Sequence, residues 1–152
     1  MQKAPSRSTA GAHERVLILC TGNSARSQMA EGLLRQDGGG RFDVESAGTH
    51  PSRVRPEAIA VMHEIGIDIS SHRSKSVAEF EEQRFDVVIT VCDHANETCP
   101  IFPGTPDRIH VSFPDPADVE GDEATRLDAF RRVRDALRVW LAQFASSRTI
   151  AP

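Results

Sequence analysis

The 152-residue sequence predicts an α/β fold: a three-layer sandwich whose middle layer is a four-stranded parallel sheet. Three observations predict it. Four short strand-like segments, "RVLILC" (15–20), "RFDVESAG" (41–48), "FDVVITVC" (85–92) and "DRIHVSF" (107–113), are separated by stretches with helical spacing. Strands that alternate with helices build βαβ units, and these place a parallel sheet between two helical layers. The first and third segments are continuous apolar runs, as central strands buried on both faces are.

Each element follows in order. Residues 1–14 are rich in Ser, Ala, Gly and charge and read as a flexible tail. The strand at 15–20 leads into a helix at 27–36, where Met29, Ala30, Leu33 and Leu34 share a face and "GGG" (38–40) ends the run. The alternating segment 41–48 is the second strand. "HPSRVRP" is a loop, and 56–66 is a helix with Pro56 in its first turn and Gly66 after its end. "GIDISSHRSKS" is irregular, and 76–83 is a short helix. The third strand (85–92) runs into a polar, Pro-containing loop (93–106), then the fourth strand (107–113) and the loop "PDPADVEGDEAT". Residues 124–144 form a long amphipathic helix with the stripe Leu127, Phe130, Val133, Leu137, Trp140, Leu141 and Phe144. Residues 145–152 read as a frayed tail. One domain therefore spans 15–144.

Composition narrows the function classes. A formal net charge of -4 gives no global drive toward nucleic acid or a membrane surface. No run of about 18 apolar residues is present, so no transmembrane helix is expected. The N-terminus lacks an apolar core of the secretory kind, which points to the cytoplasm. Thiols are held reduced there, so Cys20, Cys92 and Cys99 read as chemical rather than structural cysteines.

The densest motif is "CTGNSARS" (20–27). Thr21, Gly22, Asn23, Ser24 and Ala25 make a loop of little bulk between a strand and a helix start, and Gly and Asn tolerate positive φ. Such a loop can wrap an anion with inward backbone N–H groups, and the helix adds its positive end. Arg26 offers a planar fork suited to a tetrahedral oxyanion. The same field favours a thiolate, so Cys20 is expected to have a depressed pKa and to act as a nucleophile, with Ser27 donating to its sulfur. The plainer reading is an inert strand-end cysteine beside a surface arginine. A non-catalytic oxyanion or thiol-metal sensor is a further reading of the cradle.

Asp115 in "FPDPAD" reads locally as a turn residue. It can also hang over the cradle and protonate a departing oxygen, since crowding by an anion favours its protonated form. Cys92 and Cys99 flank "DHANET". Their spacing is neither a zinc ribbon nor a thioredoxin-type motif. With His94 they give only three close metal ligands, and no metal site is expected. Both Cys20 and Cys92 end predicted strands and share a rim if the strands are parallel, which favours a thiol relay over two unconnected thiols.

"CTGNSARSQMAEG", "SAGTH", "GIDIS", "VITVCDHANETCP", "FPDPA" and the "FRRVRD" of the last helix fall in an order that resembles the thioredoxin-coupled arsenate reductases, which share the fold of low-molecular-weight protein tyrosine phosphatases. The resemblance covers roughly residues 15–144. It implies that Cys20 attacks arsenate held by the loop and Arg26, and that Asp115 protonates the leaving hydroxide. It further implies that Cys92 attacks Cys20 to release arsenite, and that Cys99 moves the disulfide outward to Cys92–Cys99 for thioredoxin to reduce. No bound cofactor is implied, phosphate or sulfate compete as oxyanions, and a monomer is expected.

The runner-up is a phosphatase, because the cradle does not tell phosphate from arsenate. This chain has no Tyr, however, and Pro, Ala and Asp follow Asp115 where the phosphatase branch carries aromatics. Some relatives hold potassium beside the loop. Asn23, Glu31 and Ser46 match the positions that help bind it, but the remaining acidic ligand falls at Lys75. An ammonium there would repel a cation and can take its place by pairing with Glu31, so no potassium dependence is expected; the plainer reading is that Lys75 points to solvent.

Overall fold

The computed structural model describes residues 13–148. Four strands, β1 (Glu14–Cys20), β2 (Phe42–Gly48), β3 (Val87–Thr90) and β4 (Asp107–His110), pair in parallel in the order β2-β1-β3-β4. Four helices connect and cover them: α1 (Arg26–Asp37), α2 (Pro56–His63), α3 (Asp93–Thr98) and α4 (Glu123–Ser147). This is the three-layer α/β sandwich.

The central strand β1 explains its own position. Val16, Leu17, Ile18 and Leu19 are all fully buried, so it needs a neighbour on each edge and cover on each face. It finds β2 and β3, in register Val16↔Val44 and Val16↔Val87. From this centre the chain travels outward twice, β1 to β2 through α1 and β3 to β4 through α3. Right-handed crossovers in opposite directions put α1 and α3 on opposite faces. The gap between the carboxyl ends of β1 and β3 is thus the point where the winding reverses, where ligands bind in open α/β sheets. Cys20 closes β1 there, and Cys92 lies two residues past β3.

α4 follows the expected stripe: Phe130, Val133, Leu137, Leu141 and Phe144 are buried, and Trp140 stacks on Phe144 at 5.8 Å. Arg134 reaches from it to the Val61 carbonyl (2.8 Å) and Glu64 (2.9 Å), which clamps α4 to the end of α2. Glu64 is held below the usual carboxylate range, chiefly by its hydrogen bond from Arg131.

Several boundaries differ from the sequence reading. α4 continues three residues past 144, and Ala145 is buried. Arg148, expected in a frayed tail, donates to Glu14 (3.1 Å) and Asp107 (2.8 Å), tying the helix end to the starts of β1 and β4. Glu14, placed in the flexible tail, opens β1. The rest of the two expected tails, residues 1–12 and 149–152, lies outside the described residues. α2 stops at His63, and the expected helix at 76–83 is a single 3-10 turn, Val77–Phe80, capped by Ser76. The larger correction is α3: residues 93–98 are helical, where a loop was expected. Its polar sequence buries only Ala95, so no apolar period betrays it. It is held from outside instead. The Ala95 N–H donates to Cys92 Sγ (3.4 Å), and His110 of β4 bridges Thr90 (2.8 Å) and Asp93 (2.9 Å).

Candidate active site

The segment 20–27 turns between β1 and α1 without a side-chain cap on the helix. Asn23 takes φ +47°, the left-handed turn that this residue type tolerates. Among the described residues, the backbone N–H groups of Gly22, Ser24, Ala25 and Arg26 donate to no other group of the chain. Unpartnered amides ahead of a helix N-terminus form an anion cradle.

The stretch after β2 braces this loop along its length. Thr49 and His50 donate to the carbonyls of Cys20 and Thr21 (3.2 and 2.8 Å), and Ser52 and Arg55 to those of Gly22 and Ser24 (3.1 and 2.9 Å). The close approach requires Gly48: a Cβ there would lie 2.5 Å from Thr21 O and 2.9 Å from Asn23 N.

Beneath the loop runs a buried polar chain. The Asn23 amide donates to Ser27 Oγ (2.7 Å) and Ser46 Oγ (3.0 Å), and Ser46 donates to Glu31 (2.6 Å). Asn23 Oδ1 accepts from the Lys75 backbone (2.8 Å) and from Gln28 (2.9 Å). Since Ser27 Oγ already accepts from Asn23, its own hydrogen is free for Cys20 Sγ, 2.8 Å away. Glu31 is shared by Arg35 (2.9 Å) and Lys75 Nζ (3.7 Å).

The expected depressed pKa of Cys20 is corrected. Burial is the largest influence and pushes the thiol above its ordinary value. The lowering influences read from the sequence are present in Ser27, Arg26 and the Asn23 amide, but desolvation of a residue only 2 % exposed outweighs them.

Over Cys20 opens a cavity of about 190 Å³ lined by Thr21, Gly22, Ser24, Ala25, Arg26, Arg55, Asp115, Ala117 and Asp118. Arg26 donates to the Phe113 carbonyl (3.0 Å) and lies 3.5 Å from Asp115 Oδ2. Asp115 is both a turn residue and a wall of the cavity. Its Oδ1 caps the following 3-10 turn at Ala117 N (3.0 Å), and this aims the second oxygen at Arg26. Among the described residues, no aromatic side chain lines the cavity.

The three thiols are free. Cys92, 5 % exposed, sits 3.3 Å from Thr21 Oγ1, so it abuts the loop that carries Cys20. Cys99 is half-buried at the far end of α3, where burial pushes its thiol up against the opposing field of Arg108. His94 packs against His50, ring centroids 5.5 Å apart. Arg55 was missed by the sequence reading. Its signal was its place just past the carboxyl end of the second strand, on the same rim as Cys20.

The chain matches the family described as low molecular weight phosphotyrosine protein phosphatase over residues 15–150. It is 43 % identical over 132 residues to an arsenate reductase of Halalkalibacterium halodurans, an alignment covering 87 % of this chain and 95 % of that one. Among solved structures, an arsenate reductase in the phosphate-binding state superposes with a TM-score of 0.68 at 34 % identity, covering 88 % of this chain and 98 % of its own. A low molecular weight protein tyrosine phosphatase from T. tengcongensis gives 0.74 at 27 % identity, covering 88 % and 99 %.

Proposed function

The chain belongs to the low molecular weight phosphotyrosine protein phosphatase family, and from that premise we propose that it reduces arsenate to arsenite through a relay of Cys20, Cys92 and Cys99. The observation that carries this reading is the contact between Cys92 Sγ and Thr21 Oγ1, which sets a second thiol against the loop of the first. A hydrolase of phosphate esters has no use for that thiol.

The arsenate dianion enters the cradle and takes the proton of the Cys20 thiol, whose raised pKa keeps it protonated until a base arrives. The thiolate attacks arsenic while Ser27 and Arg26 hold the charge. Asp115 gives a proton to the departing hydroxide, which leaves as water. Cys92 thiolate then attacks the Cys20 sulfur. The S–As bond breaks, its electron pair goes to arsenic, As(V) becomes As(III), and arsenite leaves beside a Cys20–Cys92 disulfide. Cys99 thiolate attacks Cys92 and expels Cys20 thiolate, leaving Cys92–Cys99.

That last bond needs a rearrangement. Cys92 and Cys99 cap the two ends of α3, and helical rise separates their backbones by on the order of 10 Å. A disulfide needs Cα atoms within about 7 Å, so α3 must unwind. The unwound segment presents the disulfide to an external dithiol protein, for which thioredoxin is the fitting class; no bound cofactor takes part. The setting is the reducing cytoplasm, the working unit a monomer, and neither nucleic acid nor membrane is a partner.

A second reading, hydrolysis of small phosphate esters, is favoured by the family match and by a cradle that accepts any tetrahedral oxyanion. Arsenate-dependent NADPH oxidation with thioredoxin and its reductase separates the two. The native chain is expected to cycle, and Cys20→Ser, Cys92→Ser and Cys99→Ser to fail at multiple turnover. Normal cycling by either of the last two removes the relay. Turnover of p-nitrophenyl phosphate alone moves the assignment to phosphatase.

A further inference from the structure

Two arginines line the cavity over Cys20, and they are not in the same condition. The Arg26 guanidinium is engaged with the Phe113 carbonyl and Asp115. Among the described residues, that of Arg55 has no hydrogen bond or ion pair, although Asp118 lines the same cavity. A half-buried guanidinium that neither acid of the cavity engages, beside four unpartnered amides, marks a place where an anion can be gripped.

Its backbone is fixed for that purpose. The Arg55 N–H donates to the Ser24 carbonyl at 2.9 Å, and the residue stands in extended conformation directly before Pro56, which opens α2. The side chain therefore starts beside the cradle, from the segment that braces it, and on a different element from Arg26. Its planar fork can reach oxygens of a bound anion that the loop amides leave free.

We propose that Arg55 is a substrate-binding residue that makes the cavity prefer tetrahedral dianions over monoanions. The assignment deepens the reading given above and rests on the cavity taking a tetrahedral oxyanion. Charge is the physical basis. A second guanidinium attracts a dianion twice as strongly as a monoanion of the same shape, whereas the loop amides discriminate mainly by geometry.

Sulfate and perchlorate have that common shape and differ in charge, so they serve as probes. The readout is protection of Cys20 from iodoacetamide, quantified on its own peptide by mass spectrometry at constant ionic strength. It needs no turnover and is not confused by Cys92 or Cys99. Sulfate is expected to protect the native chain at lower concentration than perchlorate. Arg55→Gln should weaken sulfate protection by on the order of tenfold, the weight of a charge-assisted hydrogen bond, and perchlorate protection by much less. Arg55→Lys should retain the preference for sulfate. In turnover, Arg55→Gln should raise KM for arsenate with kcat little changed.

Unchanged sulfate protection in Arg55→Gln overturns the proposal. So does an equal weakening toward both anions, or an Arg55→Lys variant that behaves like Arg55→Gln. A native chain that no anion protects overturns both the assignment and the function above. A chain that fails to reduce arsenate, yet shows Arg55-dependent sulfate protection, removes only the reductase reading. Arsenate reduction with an unchanged KM in Arg55→Gln removes only the role of Arg55.

Discussion

Lys75 Nζ lies 3.7 Å from Glu31 Oε1, and the two residues are only 8 % and 2 % exposed. The pair sits beneath the cradle, and the Lys75 backbone also donates to Asn23 Oδ1. A positive charge is thus built into the place beside Glu31 and Ser46, and Arg35 adds a second one. An additional cation would meet repulsion from both. Activity is therefore expected to be equal in potassium and sodium buffers of the same ionic strength, and clear activation by potassium overturns this. Lys75→Met should lower stability by about 2 kcal/mol, because the buried Glu31 keeps Ser46 and Arg35 but loses the ammonium. An unmoved urea midpoint would contradict it.

The raised pKa of Cys20 makes a prediction with a definite sign. Its thiolate fraction, and with it the rate of alkylation by iodoacetamide, should climb with pH and reach half-maximum above the ordinary thiol value of about 8.5. Ser27→Ala removes the largest opposing influence and should move the midpoint higher still. The stability linkage has the same origin. A group whose folded pKa lies above its unfolded one contributes stability below the unfolded value, and loses it as pH rises through the folded one. Urea midpoints measured in Cys20→Ser should accordingly fall less steeply in alkaline buffer than those of the native chain. A native alkylation midpoint on the acid side of the free-thiol value would refute this account.

Gly48 tests how rigidly the loop is built. The Cβ of an alanine there would collide with backbone atoms of Thr21 and Asn23, not with the flexible end of a side chain, so the cradle itself has to shift. Gly48→Ala is expected to cost about 1–3 kcal/mol, as overpacking does. It should also lower kcat/KM by on the order of 100-fold, because a displacement of an ångström is costly at a reacting centre. Thermal unfolding and steady-state kinetics read the two effects. Native kinetics in the variant would show that the loop yields without loss.

What the sequence made legible was whatever has a period or a local chemistry. The run at 15–20 located the central strand, and the stripe from Leu127 to Phe144 located the last helix, because burial imprints itself on spacing. "CTGNSARS" revealed a cradle because small residues, a helix start and an arginine act on one another at short range. Three features were not legible, each for a tertiary reason. α3 is held by Cys92 Sγ and by His110 of a neighbouring strand, which its own six residues do not announce. The direction of the Cys20 shift depends on total burial, which the motif leaves open. Arg55 reaches the cavity only because four backbone hydrogen bonds lay its segment along the loop.

The strongest demand the relay makes is on α3. In the structure Cys92 Sγ accepts from the Ala95 N–H, and Asp93 is held by His110, so the helix N-terminus is fastened at the residue that must react. Forming Cys92–Cys99 consumes the capping thiol and pulls the two ends together, and neither is compatible with the helix. Six residues with one buried side chain have little packing of their own to lose, which makes unwinding cheap. In Cys20→Ser, where an oxidant such as diamide can only join Cys92 to Cys99 within one chain, amide hydrogen exchange over residues 95–98 should accelerate on oxidation and return on reduction. Exchange in β1 and β3 should stay unchanged. The variant His110→Ala, which releases Asp93 without touching any thiol, should speed exchange over the same residues before oxidation. Protection of 95–98 that survives the disulfide would mean that α3 persists, and the outward transfer of the bond would then need a different route.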